Sequence, residues 1–288
     1  MNSTLTSQVK EVASNQRNIG HALLDNGKVS VEDVENILKL QHEQGLRFGD
    51  AAIKLGLVNN SDILQALAQQ FDHAWLPANS EAVAPELVAA IQPDSPVVES
   101  LRLLRSQLTL RWFSKHKSIV ITSPSEGQGA SHIAANLAVM FAQLGQRTLL
   151  IDADLRNPRQ HTMFRLPSNP GLSDILAGRA NIQVIHLVDA LKNLFVLTAG
   201  TIPPNPLELL SRPVMPEFLN NMANQFDVII IDSPPALSCA DAQTLSAWIG
   251  GTVVVTRRHH TKLADVDAVK QQLTIAGAEL VGAVLNDY

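Results

Sequence analysis

Hydrophobic and polar residues keep two different rhythms along this chain. Between residues 17 and 75 apolar positions recur at helical spacing, and the pattern itself is repeated. Ile19-Gly20, Leu23, Gly27, Val34, Leu38 and Gln41 return 29 positions later as Phe48-Gly49, Ala52, Gly56, Ile63, Leu67 and Gln70. Each copy predicts a short helix ended by Gly27 or Gly56, whose missing Cβ permits a left-handed cap, and then a second helix with one apolar face. Two such helix pairs can bury their stripes against each other. Residues 17–75 therefore read as a small all-α repeat domain behind a flexible tail of residues 1–16. Over residues 76–96 four prolines interrupt two brief helical hints, which predicts a linker. A helix follows, with Val98, Leu101, Leu104 and Leu108 on an apolar stripe and Glu99, Arg102 and Arg105 on a neighbouring polar one. By itself that polar stripe reads as a solvated face with intrahelical ion pairs.

From Ser118 onward the rhythm changes to short continuous apolar runs alternating with helical segments. The runs cover residues 119–122, 148–152, 194–200, 227–232, 252–256 and 280–286. Strands of this kind are buried on both faces, so residues 97–288 predict an α/β domain with a mostly parallel sheet and helices on both sides. Ligands of such sheets sit at the carboxyl ends of the strands.

The chemistry-bearing residues fall at those ends. Residues 119–138, IVITSPSEGQGASHIAANLA, have the strand, loop and helix layout of a phosphate-binding loop, G-x-x-x-x-G-K-[ST]. In that loop backbone N–H groups wrap the phosphates, the lysine neutralises the outer ones and the hydroxyl residue ligates Mg2+. Gly127, Gly129 and Ser131 are kept, with Gln128 and His132 beside them, but Ala130 stands in the lysine's place and Pro124 in that of the first glycine. Three acids close strands: Asp152 and Asp154 in LLIDADLRNP, and Asp232 in VIIIDSPP. Carboxylates there are the usual companions of a phosphate loop, which predicts a P-loop NTPase with ATP or ADP and Mg2+ as its cofactors. Ser131, Asp152 and Asp232 are the expected metal residues. A lysine's charge-assisted hydrogen bond is worth roughly 1.5–3 kcal/mol, so its loss weakens nucleotide binding by about one to two orders of magnitude. Phosphoryl transfer suffers more, because losing one preorganised donor costs about 100- to 1000-fold in rate. Arg156, Arg159, His132 or a neighbouring subunit's side chain are the substitutes the sequence offers.

Composition narrows the classes. A chain of 288 residues, 45% hydrophobic and 17% charged, is that of an ordinary globular protein of one or two domains. No apolar run reaches the roughly 18 residues that span a bilayer, and no apolar segment marks a signal peptide, which predicts a cytoplasmic location. Cys239, the single cysteine, offers neither an intramolecular disulfide nor a metal cluster. Residues 1–96 hold six Lys/Arg against twelve Asp/Glu, which argues against nucleic acid as a partner. The densest basic patch, Arg257-Arg258-His259-His260, reads as a solvated loop.

Two resemblances give these patterns a context. The N-terminal repeat resembles the MshEN-type domain of type II secretion and pilus ATPases, some of which bind cyclic di-GMP. The resemblance implies Arg17, Gly20, Gly27, Gln41, Arg47, Gly49, Gly56 and Gln70 as candidate ligands, although Asn18 replaces the first copy's arginine. A helical docking module without ligand is the equal alternative. Residues 97–288, through SPSEGQGASHIAANLA, RTLLIDADLRNPRQH, GLSDILAG, LTAGTIPPNPLELLSRP, FDVIIIDSPPA, DAQTL and VGAVLND, resemble the bacterial tyrosine autokinases of polysaccharide export. With the repeat in front, the whole chain resembles the chain-length-determinant kinases of the EpsG type. This second resemblance implies a MinD-like (SIMIBI) P-loop fold. Its Walker A motif falls on Gly127, Gly129 and Ser131, Walker A′ on Asp152 and Asp154, and Walker B on Asp232, while VGAVLND brings Asn286 to the cofactor. It also implies a ring-forming homo-oligomer through Glu99, Arg102 and Arg105, a membrane polysaccharide co-polymerase as partner, and recruitment to the inner membrane through it. Asp154, with Asp152, would be catalytic and Asp154 the base. The family's acceptors are C-terminal tyrosines, and this chain has one tyrosine, Tyr288, as its last residue. Two functions stay open: a slow tyrosine autokinase, and a catalytically silent, nucleotide-responsive regulator. A partition or septum-placing ATPase fits less well, because the early loop lysine of those proteins is absent from residues 124–128.

Overall fold

A computed structural model describes residues 19–60, 62–63, 66, 75–77 and 79–287. The chain forms two compact units, divided in sequence between Trp75 and Leu76. Arg17, Gln70 and Tyr288 lie outside the described residues, as do Leu67 and the tail of residues 1–16.

The first unit is helical and carries its repeat into three dimensions. Helices α1 (Ile19–Asp25), α2 (Val31–Gln44) and α3 (Phe48–Lys54) follow one another. Gly27 and Gly56 take φ values of +64° and +69°, the left-handed turns expected of them. Positions 29 apart are buried alike: Leu23 with Ala52, Val29 with Val58, Ile37 with Ala66. The capping chemistry repeats too, since Ser30 and Asp33 exchange hydrogen bonds across the start of α2 as Asn59 and Asp62 do one repeat later. The buried centre of α2 is Ile37, between the Val34 and Leu38 singled out by periodicity, both of which are only partly buried.

The second unit is the α/β domain. Segment 76–96, expected to be a linker, is instead docked onto this domain. Val83, Leu87, Ala89 and Ala90 are buried, and the short helix α4 (Val88–Ile91) packs on helix α6 (Ala130–Ala142). Asn136 holds it there, accepting from the Ala89 N–H at 2.8 Å and donating to the Glu86 carbonyl at 3.1 Å. The four prolines gave the appearance of a spacer, while the small apolar residues between them supplied a docking face. Helix α5 (Pro96–Leu108) packs beside it on α6.

Seven strands form one sheet in the order β3-β4-β2-β5-β1-β6-β7. They are β1 (Ser118–Thr122), β2 (Thr148–Asp152), β3 (His186–Leu187), β4 (Leu194–Leu197), β5 (Val228–Asp232), β6 (Gly251–Arg257) and β7 (Glu279–Asn286). All neighbours run parallel except β3 against β4. All five residues of β2 and of β5 are buried, and since side chains alternate between faces, both faces must be covered. Helix α6 is buried along its length apart from Ser131 and His132 near its start. Edge strand β3 has no sequence counterpart above, because two residues carry no periodicity. Among the described residues no helix is long and apolar enough to cross a membrane.

Candidate functional site

The order of the sheet brings β1, β2 and β5 side by side, so the loops after them share one edge. After β1 the chain turns through Gly127 (φ +72°) and Gly129 (φ +91°) and enters α6 at Ala130. Both glycines adopt backbone angles that a side chain disfavours, and they leave the loop's N–H groups open to an anion. Hydrogen bonds from outside and within the loop fix it. The Asn286 side chain donates to the Gln128 carbonyl at 3.0 Å, Arg257 to the Gly127 carbonyl at 3.3 Å, and the Gln128 amide to Ser125 Oγ at 2.9 Å. Ala130 is only 8% exposed, and its methyl occupies the position of the usual lysine.

Asp152 and Asp232 face each other as register partners across β2 and β5, and both are wholly buried. Asp152 Oδ2 accepts the Arg159 and Gln160 N–H groups at 3.0 and 2.9 Å, and Asp232 Oδ2 accepts the Gln160 side-chain amide at 2.7 Å. Each carboxylate keeps its Oδ1 buried without a partner. Burial pushes the Asp232 carboxyl up to about 7 against the opposing pull of the Gln160 and Ser131 side chains. Burial and the facing Asp232 raise Asp152 well above the carboxylate range. Burial also raises Asp154, although the Asn157 and Arg156 N–H groups hold its Oδ1 at 2.9 and 3.1 Å.

Two buried carboxylates with orphaned oxygens are costly alone and become favourable when a cation joins them. The residues present therefore fit Mg2+, with Ser131 as a further oxygen ligand. Among the described residues no three His, Cys, Asp or Glu side chains converge.

A cleft of about 800 Å3 runs along the edge. Gly127, Gln128, Gly129, Ala130, Ser131, His132, Asp154 and Asn286 all line it, while Asp152 and Asp232 lie behind its wall. Apolar side chains of Val97, Leu101, Leu104, Val284 and Leu285 line it as well. Glu99, Arg102 and Arg105 are not among the lining residues. Arg102 pairs with Glu99 at 2.6 Å and reaches the Pro93 carbonyl, and Arg105 donates to the Met140 carbonyl at 3.0 Å. In the first unit Gly20 and Gly49 bring helices close, since an added Cβ would meet Phe48 at 3.2 Å and Ile63 at 3.3 Å. Arg47 is exposed and Gln41 half-buried.

Sequence reasoning missed Gln160, which ties both buried acids together and also donates to the Ser131 carbonyl at 3.1 Å. It lies within the stretch RTLLIDADLRNPRQH, where nothing assigned it a role; it follows Asp152 by eight residues and opens a four-residue helix, Gln160–Met163. It also missed Arg257, read as solvated, which reaches the phosphate loop.

A family profile described as an AAA domain matches residues 116–264, just over half of the chain. The tyrosine-protein kinase YwqD of Bacillus subtilis (strain 168) is 39% identical over 201 residues, 69% of this chain and 85% of the relative. Among solved structures, the kinase domain of Escherichia coli tyrosine kinase ETK is 31% identical with a TM-score of 0.68, covering 73% of this chain and 82% of that one. The septum site-determining protein MinD of Pyrococcus horikoshii OT3, complexed with Mg-ADP, is 26% identical with a TM-score of 0.52, covering 59% of this chain and 70% of that one. With its sheet order, its strand-end acids and these matches taken together, the chain belongs to the bacterial tyrosine-protein kinase family on a MinD-like P-loop fold.

Proposed function

We propose that the chain binds MgATP or MgADP at the carboxyl edge of its sheet and transfers the γ-phosphoryl group to tyrosine only slowly. Site occupancy, read through self-assembly by the Glu99, Arg102 and Arg105 helix and by a membrane polysaccharide co-polymerase, is then its main output. The observation that carries this reading is the facing pair Asp152 and Asp232, each fully buried with one oxygen unsatisfied, beside a glycine loop. That loop ends at the N-terminus of the 13-residue helix α6, a natural seat for phosphate. Ser131, Asp152 and Asp232 hold the ion, which when bound offsets charge on the phosphoryl oxygens. Asp154, lining the cleft with its affinity for protons raised by burial, is the residue suited to accept the acceptor hydroxyl's proton. Val284, Leu285 and Leu101 suit the flat apolar faces of a purine, beside Asn286. Mg-ADP on the MinD relative and the kinase names of the others support the ligand and the reaction class.

A second reading, a silent regulator, is favoured by Ala130, whose methyl offers no charge to a phosphoryl group in flight. Labelling with γ-phosphate-labelled ATP and Mg2+ separates the two. Phosphotyrosine on Tyr288 of the native protein supports the slow kinase, and label that appears only in Ala130→Lys supports the regulator. Calorimetric titration with millimolar MgADP that releases no heat would end both. A parallel titration with cyclic di-GMP tests residues 17–75 as a sensor module, a lesser reading because Gly20, Gly27, Gly49 and Gly56 already have structural roles there.

A further inference from the structure

We infer that Arg159 takes over the charge of the missing loop lysine, meeting the outer phosphates of the nucleotide from the loop after β2 rather than from the phosphate loop. The inference rests on the nucleotide reading above and adds the residue that makes binding affordable without an ammonium at position 130.

The cleft needs a cation. Glu86, Glu126, Asp154 and Asp287 line it, the buried acid pair stands behind it, and a di- or triphosphate would add further negative charge. A single divalent ion does not balance that set. Among the described lining residues Arg159 is the sole lysine or arginine. Other basic side chains near the site are less suited. Arg156 makes a two-pronged contact with the buried Asp241, Nε to Oδ2 at 2.9 Å and Nη2 to Oδ1 at 3.1 Å. Arg257 donates to the Gly127 carbonyl, on the loop's acceptor side, and does not line the cleft. His132 lines it, but an imidazole has no permanent charge with which to replace an ammonium.

Arg159 is also well anchored. Its backbone N–H donates to Asp152 Oδ2 at 3.0 Å, so the main chain at this position is fixed to one of the two metal carboxylates. The guanidinium itself is exposed, and among the described residues no ion pair holds it. A planar, always charged group with forked donors suits two phosphate oxygens at once. Because the anchor is the backbone, replacing the side chain leaves the Asp152 contact in place.

Calorimetric titration of the full chain with MgADP tests this. Arg159→Ala should raise Kd by about 10- to 100-fold, the range expected for a lost charge-assisted contact. Arg159→Lys should recover at least a third of the native affinity, and the ligand-free melting temperature of both variants should stay at the native value. Arg159→Ala binding within twofold of native, or Arg159→Lys no better than Arg159→Ala, overturns the inference while leaving the nucleotide site intact. Native protein that takes up no MgADP overturns the functional reading itself.

Discussion

Two buried aspartates show how one residue type answers to opposite forces. At Asp174 burial would raise the carboxyl, but the Thr201 and Gly171 N–H groups at 3.0 and 3.1 Å, with Arg179 at 3.0 Å, outweigh it and hold the group below its ordinary 3.8. A depressed value stabilises the fold above pH 3.8 and loses that contribution as pH falls further. Asp174→Ala strands those donors and should lower the melting temperature at pH 7 by roughly 5–10 °C, with the gap to native closing below about pH 4. Asp232 is the reverse case: raised to about 7, it favours the metal-free native state below its ordinary 3.8, and the benefit fades as pH climbs through 7. Asp232→Asn should therefore melt several degrees above native in EDTA at pH 8, with a smaller margin at pH 5, and lose the Mg2+ dependence of ADP binding. An equal margin at both pH values in thermal-shift measurements would contradict the assignment. Asp152 and Asp232 were legible in the sequence because each closes an apolar strand run, whereas no apolar run points to Asp174. Gln160 was not legible, since a glutamine at the start of a four-residue helix gains its role only when the sheet brings β2 beside β5.

Periodicity exposes a whole element when the element repeats or is continuous, and conceals it when burial is carried by small residues. The six longer strands follow from their apolar runs, and the ends of the short helices in the first unit from their glycine stops. The docking of segment 76–96 was not legible, because Ala84, Ala89 and Ala90 look neutral in any pattern and the side chain that holds the segment, Asn136, lies beyond α5 and β1 in α6. Asn136 is fully buried and satisfies three backbone groups, the Ala89 N–H and the Glu86 and His132 carbonyls. Asn136→Ala should cost roughly 2–4 kcal/mol through groups left unpaired. Hydrogen exchange of the Ala89 amide should accelerate far more than that of β5. Uniform acceleration across the domain would mean that Asn136 supports the sheet rather than this contact. A milder change, Ser30→Ala, should cost about 1 kcal/mol by removing one capping partner of α2, visible as a small fall in the denaturant midpoint.

At the scale of the molecule, the boundary of the nucleotide domain decides what can bind. Sequence patterning begins that domain at residue 97, whereas its compact unit begins at Leu76. The twenty-odd residues between carry Val83, Leu87, Ala89, Ala90 and Ile91 in the core, and Glu86 and Val88 in the cleft wall. Burying five such apolar side chains stabilises by roughly 5–10 kcal/mol, comparable with the whole stability of a domain. A fragment of residues 76–288 should therefore fold and bind MgADP with the affinity of the full chain. One of residues 97–288 should be largely unfolded or aggregated at 25 °C, since it exposes the apolar face of α6 that α4 covers. Far-UV circular dichroism and calorimetry on the two fragments decide the matter. Equal folding and equal affinity would show that segment 76–96 is the spacer its prolines suggest. Loss of both in the shorter fragment would mean that residues 76–96 belong to the folding unit of the α/β domain, while loss of affinity from a fragment that still folds would mean that they act as a wall of its cleft.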